Sequence, residues 1–170
     1  YGKIRHRFSA ANYTQILANW AVDDHGVFLQ WKDRSEPLRV PASDRLAATI
    51  SKKLHLNGEY FHLLKPQLGL RIKSAYYRTS FANTAAAGGL NSTAHKLYAE
   101  LQADYSYSAQ FRMTAGLVAA DDRVDSPVSY LGRHSVHSAA LYGQGVYAPV
   151  NALEFSAGMR YDGNQLAASN

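Results

Sequence analysis

The sequence predicts an all-β protein: antiparallel up-and-down strands forming part of a transmembrane β-barrel, roughly seven strands with short periplasmic turns and long external loops. Three observations predict it. Apolar and polar residues alternate with period two along much of the chain, which sorts them onto opposite faces of a strand but mixes them around a helix. Short and long connections alternate in the C-terminal half, an asymmetry that belongs to outer-membrane barrels and for which a sandwich gives no reason. Charged residues make up only 18% and aromatic residues 12%, with 12 Tyr. No apolar run approaches the ~20 residues that a membrane-spanning helix needs, so a membrane crossing would have to be made by strands.

Taken in order, Ile4 to Val22 is extended though irregular, and Asp23-Asp24-His25-Gly26 turns it into Val27 to Lys32. A polar connection, Asp33 to Asp44, leads to a segment where Leu46, Ala48, Ile50, Leu54 and Leu56 oppose Thr49, Ser51, Lys53 and His55. Lys52 interrupts that apolar face. Leu68, Leu70, Ile72 and Tyr76 then oppose Arg71, Lys73 and Tyr77, and a second long connection runs from Phe81 to Ala94. The clearest strand is His95 to Tyr107, with Leu97, Ala99, Leu101, Ala103, Tyr105 and Tyr107 against Tyr98, Glu100, Gln102 and Asp104. Ser108-Ala109 makes a tight hairpin into Phe111, Met113, Ala115, Leu117 and Ala119, opposite Arg112, Thr114 and Gly116. Asp121 to His134 is the third long connection, and Ser135 to Ala148 is extended again. The turn Ala148-Pro149-Val150-Asn151 leads into Leu153, Phe155, Ala157, Met159 and Tyr161, opposite Glu154, Ser156, Gly158, Arg160 and Asp162. Tyr105, Tyr107, Phe111, Tyr147 and Phe155 gather around the two short turns, as an aromatic girdle at a membrane interface does.

The absence of cysteine excludes disulfide scaffolds, thiolate metal sites and cysteine nucleophiles. A net charge of +5 permits an anionic partner. Yet Lys3, Arg5 and Arg7 form the only dense basic cluster, and no RNA-binding aromatic motif accompanies them, so no nucleic acid is expected. There is no nucleophile elbow, H-E-x-x-H, P-loop or G-x-G-x-x-G, so no enzyme activity, catalytic residue, metal site or cofactor is expected. Asp121-Asp122-Arg123-Val124-Asp125 lacks the spacing and glycine of a calcium loop and reads as a solvated external loop. Glu100, Gln102, Asp104, Arg112, Gln144, Glu154 and Arg160 fall on polar faces of neighbouring strands, where they would line a lumen. His95, His134 and His137, at one rim, would reach a haem iron or metal complex, and Trp20, Trp31 and Tyr130 would stack on a flat ligand. Alternation by itself also fits a soluble β-sandwich or small barrel that binds carbohydrate or an apolar ligand, or a small complete outer-membrane barrel of about eight strands.

The string Tyr142-Gly143-Gln144-Gly145-Val146-Tyr147, followed after a short turn by Leu153 through Gly158-Met159-Arg160-Tyr161-Asp162, resembles a recurring hairpin of TonB-dependent outer-membrane receptors. Its form there is Y-x-Q-x-x-Y, a turn, then L-x-x-x-x-G-x-R-Y-D. Glu100-Leu101-Gln102, Thr114-Ala115-Gly116-Leu117 and Phe28-Leu29-Gln30-Trp31-Lys32 are also similar to strands of that family, and the likeness covers most of residues 27–162 in order. The resemblance implies a barrel of about 22 strands around an N-terminal plug, of which this chain would supply about a third. Residues 1–170, opening at Tyr1 without lead-in and stopping at Asn170, are then expected to be a partial β-barrel segment of a longer chain, with no separate second domain. The plug and the TonB-contact segment would lie elsewhere in the parent. The resemblance further implies location in the outer membrane of a Gram-negative bacterium. The implied partners are outer-membrane lipid, the plug of the same parent chain, TonB through the missing N-terminal region, and a transported small molecule. That solute would be a ferric siderophore, haem, cobalamin or oligosaccharide.

Overall fold

A period-two chain with tight turns is driven to pair each strand with the next, because that satisfies the backbone N–H and C=O groups over the shortest loops. The computed structural model describes residues 1–26, 32–36, 39, 41, 48–83, 90–126, 132–150 and 152–168. The fold is all-β. Eight strands, β1 (Gly2–Arg7), β2 (Asn12–Gly26), β3 (Ala48–Lys65), β4 (Leu68–Asn83), β5 (Leu90–Ser106), β6 (Phe111–Ser126), β7 (Gly132–Val150) and β8 (Leu153–Ala168), follow one another among the described residues. They form one antiparallel sheet in sequence order, β1 to β8, and the sheet is not closed: β1 and β8 are its two edges.

Eight strands rather than seven arise because the stretch Ile4 to Val22 folds back on itself. The Ser9 hydroxyl accepts from the Ala11 N–H and donates to Asn12 Oδ1, and Phe8 N–H donates to the Asn12 carbonyl. That side-chain turn divides the segment into β1 and β2. Two connections are shorter than the sequence suggests. β4 runs to Asn83 and β6 to Ser126, past Phe81 and Asp121 where the sequence pattern places the starts of these connections, so residues 84–89 and 127–131 are all that separates the neighbours. The acidic run Asp121–Asp125, expected in a loop, is paired strand in β6. Four register partners (His137, Val136, Ser135 and His134 for Asp121 to Val124) continue the ladder through it. The predicted segment Val27 to Lys32 lies outside the described residues except for Lys32.

Connections at one end are short, at residues 8–11, 66–67, 107–110 and 151–152; at the other they span 27–47, 84–89 and 127–131. The short-turn end is tied together. Leu63 N–H donates to the Ala11 carbonyl, Ser106 N–H to Gln67 and Ala148 N–H to Gln110, so three of these turns are bonded to the end of a neighbouring strand. The row Ile4–Ile16–Gly58–Ser74–Ala99–Ala119–Ala139–Gly163 crosses β1 near its short-turn end and β7 far from its own. Such stagger means that the strands run tilted across the sheet, as they do in barrels.

The register divides the residues into two faces. One carries Tyr60, Ile72, Leu101, Leu117, Leu141 and Tyr161 in a single row. The other carries Arg5, Gln15, Glu59, Lys73, Glu100 and Asp162 in the adjacent row. The polar face is the sheltered one: Glu100 is 9% and Gln102 8% exposed, against 46% for Leu101, 56% for Leu117 and 58% for Leu141. Among the described residues, Ala140 is the one buried hydrophobic, and it belongs to the polar face too. A sheet with its polar side sheltered and its leucines open has no core of the usual kind.

Gly116 serves that polar face. It stands opposite Tyr142, and a Cβ added there would fall 2.5 Å from the tyrosine ring, so the ring lies over the bare backbone. This is the pairing by which an aromatic side chain covers a strand glycine. Gly143, which faces the apolar side, has no such neighbour; its nearest atom would be the Thr114 carbonyl at 4.0 Å. Gly116→Val should therefore displace Tyr142 and lower stability by about 1–3 kcal/mol. Gly143→Ala should leave stability nearly unchanged in the same denaturant titration, and equal losses at both positions would contradict the account.

Candidate functional site

The sheltered face is the natural place to look for chemistry, because burial makes each polar group depend on a partner. Two ladders meet on it. Near the N-terminal edge, the Arg5 guanidinium lies 3.9 Å from the centre of the Tyr13 ring, and Tyr13 stacks on Phe61 at 5.4 Å. Arg71 sits over the other side of that series, 5.6 Å from Phe61. The register explains the alignment: Arg7, Tyr13, Phe61, Arg71, Gln102, Gly116, Tyr142 and Arg160 form one cross-strand row, with Arg5 one row away. Cations over aromatic faces are favourable and help fix the rings.

The second ladder centres on Glu100. Its carboxylate accepts from Tyr98 at 2.5 Å, from Tyr142 at 2.5 Å and from Lys73 at 3.1 Å. Lys73 also donates to Gln102 Oε1 at 2.9 Å, and Gln102 in turn donates to Asp104 at 2.7 Å. Thr114 adds a bond to Asp104 at 2.9 Å. Arg71 links the ladders electrostatically, 3.7 Å from Glu59 and 3.9 Å from Asp104, and Tyr13 donates to Glu59 at 2.6 Å. From β2 to β7, six strands thus share one polar network. Tyr142 reaches from β7 to Glu100 on β5 because the strand between them offers only Gly116 at that point.

All seven residues expected to line a lumen lie on this face. Glu100, Gln144 and Arg160 border a hollow of about 340 Å³, together with Tyr98 and Tyr142. Asp104, Arg112 and Gln144 border an adjoining one of about 380 Å³, with Arg71 and Thr114. Gln102 sits within the network that joins them. Glu154 pairs with Arg112 at 3.4 Å near the short-turn end, and Arg160 pairs with Asp162 at 2.8 Å.

The three histidines do not come together. His95 and His137 are on the apolar-parity face, whereas His134 is on the polar one, since residues one or three apart in β7 point to opposite sides. His95 bonds the Tyr76 hydroxyl at 2.9 Å, and His137 sits 3.1 Å from Asp121. Trp20 lies in β2 on the apolar-parity side, and Trp31 and Tyr130 lie outside the described residues. Among the described residues, no group of three or more His, Asp or Glu is arranged to hold a metal ion.

Sequence reading missed Lys73, Tyr142, Tyr98, Arg71 and Glu59 as members of the network. The polar parity of Arg71, Lys73 and Tyr98 was legible in β4 and β5, whereas Glu59 and Tyr142 fall in stretches whose faces the pattern left unassigned. What was not legible is the register, which alone places Lys73 opposite Glu100 and Tyr142 opposite Gly116. Chemically, the face offers alternating donors and acceptors over a wide, shallow area, suited to holding a polar surface.

A scan against models of known protein families finds no match, and no curated protein matches the chain either.

Lys73 is the one cation bonded to Glu100 among the described residues. Lys73→Met should cost about 1–2 kcal/mol, since it leaves a sheltered carboxylate with only its two tyrosine donors. In a double-mutant cycle, Glu100→Gln should recover most of that loss. Strict additivity of the two changes would contradict the coupling.

Proposed function

We propose that this chain is a sector of a transmembrane β-barrel in the outer membrane of a Gram-negative bacterium, belonging to a receptor of the TonB-dependent kind. The observation that carries the barrel reading is the inverted burial: leucines open on one face, and a bonded carboxylate network sheltered on the other. In water such a sheet would leave a wide apolar face uncovered, far beyond the few hundred Å² that soluble monomers tolerate. Lipid covers it at no such cost, and the polar face then turns to a wet lumen.

The dimensions support the same reading. The apolar band runs from Leu97 to Tyr105 on β5, from Phe111 to Ala119 on β6 and from Ala139 to Tyr147 on β7. That is about nine residues per strand, within the ~9–11 that a tilted strand needs to span a bilayer. At the short-turn end the band closes on Tyr105, Phe111, Tyr147 and Phe155, which share its face. At the other end it gives way to His95, Asp121, Arg123 and His137. Strands of 15 to 19 residues carry the sheet well beyond the band on the side of the longer connections.

Support for the receptor class comes from the residues of the C-terminal hairpin. Tyr142 to Tyr147 on β7 pair with the strand that begins at Leu153, and Tyr142 stands opposite Arg160. The signature residues therefore sit on adjacent strands of one hairpin, with Tyr142, Gln144 and Arg160 all on the polar face. The two open edges of the sheet call for further strands, as a larger barrel supplies. In such a receptor the network around Glu100 faces the plug, and a scarce solute is captured from outside and drawn inward when TonB pulls on that plug.

Two outcomes test this reading. In bilayers, Leu101→Arg should cost roughly 2–4 kcal/mol, while Gln144→Arg, exposed on the polar face, should cost little. Equal penalties would indicate a packed interior on both sides of the sheet and would contradict the lipid-facing reading. In the source bacterium, disrupting the gene should abolish TonB-dependent growth on one scarce solute. Unchanged growth on ferric siderophores, haem, cobalamin and oligosaccharides alike would contradict the receptor class.

A further inference from the structure

The outer rim at the long-connection end is charged, and its charges are of two kinds. On β6 and β7 the cations are neutralised: Arg123 lies 2.7 Å from Asp121, and Arg133 lies 3.1 Å from Asp125. On β3 and β4 they are not. Lys52 and Arg78 belong to the same face and the same rim, and neither has an ion-pair partner among the described residues. Asp24, diagonal to Lys52 by register on the same face, forms no ion pair with it. Two long cationic side chains left uncompensated on adjacent strands repel each other and invite an anion.

Their surroundings say what kind of anion. Trp20, Leu54 and Arg78 form one cross-strand row, with Lys52 and Ser80 paired in the next. Together with Lys53, these residues line a hollow of about 350 Å³. The lining therefore sets two apolar side chains, Trp20 and Leu54, beside the cations, and below it the same face continues through Leu56 into the apolar band. Trp20 stands 70% exposed at the border between band and rim, where an indole ring prefers to sit in a membrane. A free inorganic anion would gain nothing from Trp20 and Leu54. A lipid that carries a phosphate at the rim and acyl chains below it would use every one of these groups.

We infer that Lys52 and Arg78, with Trp20, Leu54 and Ser80, form a binding site on the outer face for the phosphate-bearing headgroup of an anionic lipid. The phosphate sits between the two cations, and Ser80 can donate to one of its oxygens. The acyl chains run along Leu54 toward Leu56. This site rests on the reading that the apolar face meets lipid. It adds that the contact is selective at one place on the perimeter, which would give the barrel a preferred lipid neighbour there.

The test uses the full chain in zwitterionic detergent micelles, titrated with phosphatidylglycerol or with phosphatidylcholine, and read as lipid retained in native mass spectrometry. Phosphatidylglycerol should bind about 10- to 30-fold more tightly, the preference expected of two cations at a lipid surface. The double variant Lys52→Gln, Arg78→Gln should reduce the preference to within about twofold, while Arg123→Gln, at a neutralised position, should leave it intact. Millimolar inorganic phosphate should not displace the lipid. Equal retention of the two lipids by the unaltered chain, or a preference that survives the double variant, would overturn the site. Displacement by inorganic phosphate would reassign it to a free anion. The Leu101→Arg penalty, read in bilayers, separates this failure from that of the lipid-facing reading: a penalty with no anionic preference removes only this site, and no penalty removes both.

Discussion

The structure depends on where its leucines are. In a soluble antiparallel sheet the apolar side chains are sheltered and the polar ones open, because hiding apolar area from water is the main force available to fold the chain. Here the order is reversed, with Glu100 and Gln102 sheltered and Leu101, Leu117 and Leu141 open. Such a sheet holds its internal order through backbone ladders and through polar bonds on the sheltered side. It relies on its surroundings to cover the other side. Long strands, tight bonded turns at one end, wider connections at the other and an aromatic border all make sense once lipid is taken as that cover.

The polar network then has a definite task. A single layer of strands is prone to shear and to slip in register, and each slip would exchange the two faces. Side-chain bonds that cross three or more strands oppose it. Tyr142 reaching over Gly116 to Glu100, and Arg71 bridging Glu59 and Asp104, tie non-adjacent strands together in a way the backbone ladder alone does not. Such groups strengthen each other where water is partly excluded. The same network presents a fixed array of charges and hydroxyls to whatever meets that face.

Much of this was legible in the sequence, and the limits have physical causes. Alternation from Leu97 to Tyr105 and from Phe111 to Ala119 gave both faces of β5 and β6, because period two admits no other arrangement. The seven polar residues from Glu100 to Arg160 were placed on one face for the same reason. The turn at residues 8–11 escaped notice because Ser9 and Asn12 make it by side-chain bonds and no Gly or Pro marks it. The extension of β6 through Asp121–Asp125 escaped because charges read as loop, whereas a strand that rises past the apolar band can carry them. The three histidines looked like one rim cluster, yet parity sends His134 to the opposite face from His95 and His137. Cross-strand partners such as Lys73 with Glu100 need the register, which no local pattern encodes.

The most direct test of the central claim is a nitroxide accessibility scan along β6 in lipid bilayers, made simple by the absence of cysteine from the sequence. Single cysteines at Met113, Ala115, Leu117 and Ala119 would be compared with Thr114, Val118 and Ala120. The account predicts a period-two oscillation, with high oxygen and low nickel-complex accessibility at the four odd positions and the reverse balance at the even ones. Uniformly low accessibility to both probes, or nickel-complex maxima at Leu117 and Met113, would mean that the apolar face is packed against protein or open to water and that lipid does not cover it.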